Sequence, residues 1–222
     1  MMSRSDVDKL IRQTRQYEFS DGLRDLQMAI LLGIGGLSVW LVFEPTWATF
    51  IGNMMRVFGR WAAWINILPV IIAPLAVWGM LRVMDYLRQR WLWRESGIVK
   101  ASRWIVPRRV NVVSAVILLG GLALSLGLRY LGRADDLFVL HMLWAATGWG
   151  FGYTLAAVGR HLGLSRYVWL GVTGGLISTV VLFLPLTFGQ TSLVFGLSWC
   201  LLLTMSGIIT LQRATFSVKG RQ

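Results

Sequence analysis

Few side chains in this 222-residue sequence are able to do chemistry, and the tightest grouping of them is Asp135, Asp136 and His141. Carboxylate oxygen and neutral imidazole nitrogen are both metal ligands and proton acceptors, so an external metal or proton site is one reading. The other is architectural. Acids at a helix start sit well against the positive end of the helix dipole, and a histidine one turn further in reaches headgroups or water. One imidazole and two loop carboxylates make a thin ligand set, which favours the architectural reading.

Elsewhere the chemistry is sparser. His161 stands beside Arg160, on the opposite membrane face from His141, so the two histidines do not form a haem-ligating pair. There is no His-Glu-x-x-His, no Cys-x-x-Cys and no glycine-rich phosphate loop with its lysine. No nucleophile and base share a depth, as an intramembrane hydrolase would need. Cys200 is the single cysteine and lies mid-way along an apolar block, where it reads as a small packing residue. The expectation is a protein that is not an enzyme, with no catalytic residue, metal or cofactor.

A second group of residues suits recognition better than catalysis. The stretch 82–109 carries eight Lys and Arg against Asp85 and Glu95, interleaved with tryptophan. Arg88, Arg90, Trp91, Trp93, Arg94, Arg103 and Trp104 are its candidate docking residues. Tryptophan prefers the membrane–water boundary and clustered bases prefer anionic lipid, so one partner is the headgroup layer. Aromatic and arginine side chains also anchor protein interfaces, so the other is a cytoplasmic protein. No recognised nucleic-acid-binding motif is present.

Glycine supplies the third pattern. Gly148 and Gly152, Gly171 and Gly175, Gly121 with Ser125, and Gly196 with Cys200 all fall at four-residue spacing. Small residues repeated once per turn let two helix backbones approach closely in a bilayer. These positions are expected to be helix–helix contacts, with a narrow substrate path lined by backbone and hydroxyls as the rival reading; a second copy of the chain is a separate candidate partner.

The elements that must position these residues are six apolar blocks: 26–43, 61–81, 110–128, 137–158, 167–186 and 191–211. Each has roughly 18 to 22 residues, near the number a helix needs to cross a hydrocarbon layer. None contains Lys, Arg, Asp or Glu. Strict alternation over ten-residue segments, the mark of a barrel strand, is absent. The expected fold is an all-α integral membrane protein of six transmembrane helices. A cytoplasmic segment 1–25 precedes the helical domain 26–211, and a cytoplasmic tail 212–222 follows it.

The formal charge of +12 is then a topology signal. With both termini inside, eighteen of the 22 Lys and Arg fall on the cytoplasmic side, which favours an N-in, C-in chain of the plasma membrane. Residues 5–17 form an amphipathic pattern suited to the inner headgroups or to a partner. Trp47, Phe50, Ile51, Met54, Met55 and Phe58 form an apolar helical stripe, read as a short helix on the outer surface or a re-entrant half-helix. Pro69 and Pro74 predict a kink in the second block.

This layout resembles the six-span permease half of ABC-2-type exporters, in which an ATPase docks on cytoplasmic elements. The resemblance is one of layout, without shared motifs, and the connector between blocks five and six is short for the hairpin of that family. It implies a membrane-embedded subunit of a transport assembly. A non-transporting sensor, anchor or regulator is the alternative, and an autonomous transporter of an apolar substrate a third. A reporter fused to either terminus should register a cytosolic location, and one inserted after Arg133 an external one. A terminus accessible from outside intact cells would overturn the orientation.

Overall fold

The computed structural model describes residues 22–87, 90 and 108–219, and every described element is helical. The expected amphipathic helix at 5–17 lies outside these residues. In chain order the helices are α1 (Leu23–Phe43), α2 (Pro45–Phe58), α3 (Ala63–Leu87), α4 (Arg108–Tyr130), α5 (Asp136–Leu162), α6 (Ser165–Val180) and α7 (Phe188–Lys219). Short 3-10 turns at Gly59–Ala62 and Val181–Phe183 join α2 to α3 and extend α6.

Local chemistry sets the boundaries. Proline disfavours helical backbone in the residue before it. Glu44 accordingly goes extended (φ −76°, ψ 128°), ending α1, and Pro45 opens α2. Pro185 acts similarly: Leu184 is extended (φ −89°, ψ 134°), so helical structure stops at Phe183. The fifth apolar block was expected to be spanning as far as residue 186. At the α5 end, Gly163 takes φ 72°, Leu164 N–H bonds Gly159 O at 2.8 Å, and Gly163 N–H bonds Arg160 O at 3.4 Å. That double closure is the glycine cap that terminates helices sharply. It lets α5 run through His161, so the turn to α6 is shorter than the eight-residue connector expected at 159–166. Helix α3 continues without a break past Pro69 and Pro74.

Four described helical segments are long and apolar enough to cross a bilayer: Leu23–Phe43, Arg109–Tyr130, Ser165–Phe183 and Phe188–Arg213. Their outward faces agree with that solvent. Val116, Leu119, Trp169, Leu176, Leu201 and Met205 are all more than half exposed. An apolar exterior on this scale marks a chain built for a membrane.

Helices α1 and α7, α5 and α6, and α4 and α5 pack antiparallel. Gly36 of α1 meets Gly196 of α7, and Gly22 meets Gly207. Gly152 of α5 faces Gly171 of α6, while Gly121 of α4 faces Ala146 of α5. Helix α3 packs against α1, on a different flank from the α4–α5 pair. The core lies among α1, α5, α6 and α7, where Ala29, Leu155, Leu162, Tyr167, Phe195, Trp199 and Leu203 are buried together. Aromatic edges organise it: Phe151 and Trp199 rings lie 4.8 Å apart in a T-shape, and Trp144 and Phe195 lie 5.0 Å apart.

All six glycines singled out by spacing face another helix. Gly148 lies against Ser178, Gly175 against Trp149, and the other four against the partners just named. Dispersion between closely approaching backbones replaces the hydrophobic drive that lipid does not supply. The α1–α7 seam is the tightest test. A β-carbon on Gly36 would stand 2.8 Å from Gly196 Cα and 2.7 Å from Ser192 O, both backbone atoms. Gly36→Val should therefore cost roughly 2 kcal/mol or more by overpacking. Its neighbour Gly35 has nothing within 4 Å, so Gly35→Ala should leave stability unchanged or slightly raised. Thermal unfolding of the two purified variants in one detergent checks the contrast.

Candidate functional site

A buried carboxylate is the centre of the most developed polar site. Asp25 lies in the first turn of α1 and has no solvent-exposed surface. Gly22, in the left-handed region at φ 76°, opens that turn directly against Gly207, which places the start of α1 flush on α7. The helix dipole favours an acid at this position. Dipole alone does not sustain a buried charge, which needs partners.

Two helices supply them. Tyr167, at the start of α6, donates its phenolic hydrogen to Asp25 Oδ1. Ser206, on α7, donates to Oδ2 at 2.8 Å. Arg166 brings its guanidinium to 3.7 Å from Oδ2, an ion pair without a hydrogen bond. The guanidinium is held by other contacts. Its Nη1 donates to Thr210 Oγ1, its Nη2 donates to Tyr167 Oη at 3.2 Å, and its Cζ lies 4.8 Å from the Tyr167 ring centroid. Thr210 in turn donates to Ser206 O at 2.7 Å. Beside the cluster, Arg24 Nη1 bonds Gln27 Oε1 at 3.1 Å.

At the opposite end of the bundle is a smaller polar knot. His141 is 3% exposed, and its Nε2 lies 3.0 Å from Leu186 O and 2.9 Å from Thr191 Oγ1. A carbonyl accepts only, so Nε2 carries the hydrogen. This corrects the expectation that His141 reaches headgroups or water. Pro185 breaks α6, leaves the Leu186 carbonyl outside any helix, and the imidazole turns inward to bond it.

The two acids do not join it. Asp135 caps α5 by accepting from Phe138 N–H at 2.8 Å, and exposed Asp136 pairs with Arg129 Nε at 2.7 Å. Among the described residues, no three His, Cys, Asp or Glu side chains converge on a metal-sized site.

Of the docking residues, Arg90 is described. It is exposed, bonds Tyr86 Oη one turn back, and its Cζ lies 5.7 Å from that ring centroid. Arg82 stacks on Trp78 in the same manner, at 5.3 Å. Arg88, Trp91, Trp93, Arg94, Arg103 and Trp104 lie outside the described residues. Cys200 packs beside Gly33 at the α1–α7 seam.

Sequence reasoning missed the Asp25 site, because Asp25 immediately precedes the first charge-free block. The available signal was an acid at the mouth of one block and the Arg166–Tyr167 pair at the mouth of another. No family model, curated protein or solved structure matches the chain.

Removing one member of a buried ion pair strands the other charge and its hydrogen-bond partners. Asp25→Ala should cost roughly 3 kcal/mol of stability, while Asp136→Ala, on an exposed pair, should cost under about 1 kcal/mol. Detergent-solubilised unfolding of both variants measures the difference.

Proposed function

We propose that the chain is a membrane-embedded subunit of a transport-type assembly, crossing the plasma membrane six times with both termini in the cytoplasm. In this reading α3 and α5, of 25 and 27 residues, also cross, and α2 lies on the outer surface. A cytoplasmic partner protein, such as an ATPase, docks on the basic, tryptophan-rich connector between α3 and α4, which also touches anionic headgroups.

The observation that carries the reading is the gathering of charge at one end of the bundle. The antiparallel order brings the start of α1, the turn from α5 to α6 and the C-terminal half of α7 together. Arg24, Arg160, Arg166 and Arg213 all lie at that end. The start of α4, with Arg109, reaches the same end through its antiparallel pairing with α5. The two helices that the connector joins pack on different neighbours, α3 on α1 and α4 on α5. A basic, tryptophan-rich segment leading into that end at Arg109 is well suited to bind a partner there.

An anchor or regulator that moves no substrate is the second reading. The closed interior favours it: helices meet at glycine, Trp199 fills the space beside Gly174, and Ser114, Trp149 and Trp199 each bond a group on another helix. That same interior weighs against an autonomous transporter.

Capture from membranes in a mild detergent, with identification of whatever co-purifies, separates the readings. A stoichiometric cytosolic protein should be retained by the natural chain. It should fall at least about ten-fold when Arg90, Trp91, Trp93 and Arg94 are all replaced by alanine, the loss of a hot-spot cluster. Retention by that variant would make the connector a lipid anchor. Substrate flux by the protein alone in liposomes would overturn the subunit reading.

A further inference from the structure

We propose that Asp25 is a reversible proton-binding site, and that the proton occupies Oδ2, facing Ser206. The proposal stands whether or not a partner docks on the connector.

The described hydrogen bonds to Asp25 come from two hydroxyls, Tyr167 Oη at Oδ1 and Ser206 Oγ at Oδ2. A hydroxyl both donates and accepts, and changes role by turning about its C–O bond; a guanidinium only donates. A carboxylate clamped by two arginine N–H groups would leave donors facing a hydrogen once protonated. Here the guanidinium stands off at 3.7 Å, beyond hydrogen-bond reach.

Each of these described contacts therefore has a counterpart in both protonation states. With Asp25 ionised, Tyr167 and Ser206 each give it a hydrogen bond, and the Arg166 charge balances its own. With Asp25 neutral, its new O–H donates from Oδ2 to Ser206 Oγ. The Ser206 hydrogen then turns to a carbonyl of its own preceding turn, as Ser178 does to Gly174 O at 2.7 Å and Thr210 to Ser206 O at 2.7 Å. Tyr167 keeps its bond to Oδ1. Arg166 keeps Thr210, the Tyr167 hydroxyl and the Tyr167 ring.

The proton balance is simple. One proton from water adds to the carboxylate, no other bond breaks, and the site's net charge rises by one. Its entry is the Arg166 edge, the 24% of that side chain that remains exposed, while Asp25 itself has no surface. Described charged and titratable neighbours lie on each packed element. Helix α6 brings Arg166 and Tyr167, and α7 brings Ser206 and Thr210 with Arg213 exposed beyond them. Helix α1 adds Arg24, held by Gln27; α3, packed on α1, carries exposed Arg82 and Tyr86; and α5 ends in exposed Arg160 and His161.

The consequence is a site where acid weakens the joint between α1, α6 and α7. Protonation removes the one described negative charge that faces Arg166 and keeps the hydrogen-bonded frame.

Infrared difference spectroscopy of proteoliposomes in heavy water, between about pH 7 and about pH 4, tests it, since carboxylates titrate in or near that range. The natural chain should gain the C=O stretch of a carboxylic acid sequestered from water, and Asp25→Asn should lack it. Ser206→Ala should keep the band at a shifted frequency, because the hydrogen-bond acceptor is gone. If Asp25→Asn does not fold, the Ser206→Ala shift alone decides. A natural chain that stays folded at both pH values and shows no such band would make Asp25 a permanent ion and overturn the proposal. So would a band that persists in Asp25→Asn, or one that Ser206→Ala leaves unmoved.

Discussion

Lipid offers a helix neither hydrogen bonds nor a hydrophobic reason to leave it, and the architecture follows from that double lack. With nothing to gain from burying leucine, the outward faces of α4, α6 and α7 keep their large apolar residues. The helices adhere where backbones approach: Gly36 on Gly196, Gly152 on Gly171, Gly22 on Gly207. Polar atoms have the opposite problem. Each needs a partner inside the protein, and hydroxyls spend their hydrogens on neighbouring helices or on carbonyls one turn back. Ser114 with Thr154, Trp149 with Thr179 and Trp199 with Ser178 are such matches, each joining two helices.

Seen this way, the two ends of the bundle are tied by different chemistry. At one, an imidazole N–H reaches a carbonyl freed by proline and a threonine hydroxyl. At the other, a full carboxylate and a guanidinium share a set of hydroxyls contributed by α6 and α7. A charge pair is an expensive way to join helices when packing alone would serve, and intramembrane ionisable groups usually have work to do. The hydroxyl frame around Asp25 suggests what that work is: it tolerates the carboxylate with or without its charge.

Much of the helical frame was legible in the chain. Four of the six charge-free blocks overlap the segments able to cross a bilayer, and four-residue glycine spacing marks faces that meet other helices. Both signals are local, carried by composition and by one turn of helix. The Trp47–Phe58 stripe also became a helix, yet its face divides: Ile51 is buried while Phe50 and Phe58 are exposed. Periodicity specifies that a face exists and not how much of it another element covers. His141 was noticed, but its orientation depended on a carbonyl forty-five residues away.

Sequence alone therefore determined the solvent, the secondary structure and the small-residue seams, because apolar run length and helical spacing act within a few turns of one helix. It also set the sharp turns, through Pro45, Pro185 and Gly163. Only tertiary structure decided which polar groups become a site. Asp25, Arg166, Tyr167 and Ser206 are separated by up to 181 residues, and no pattern along the chain connects them. They meet because α1 lies on α7 at glycine contact and α6 runs antiparallel to α7, which brings the starts of α1 and α6 against the C-terminal half of α7 and removes the water that would otherwise have kept each of them ordinary.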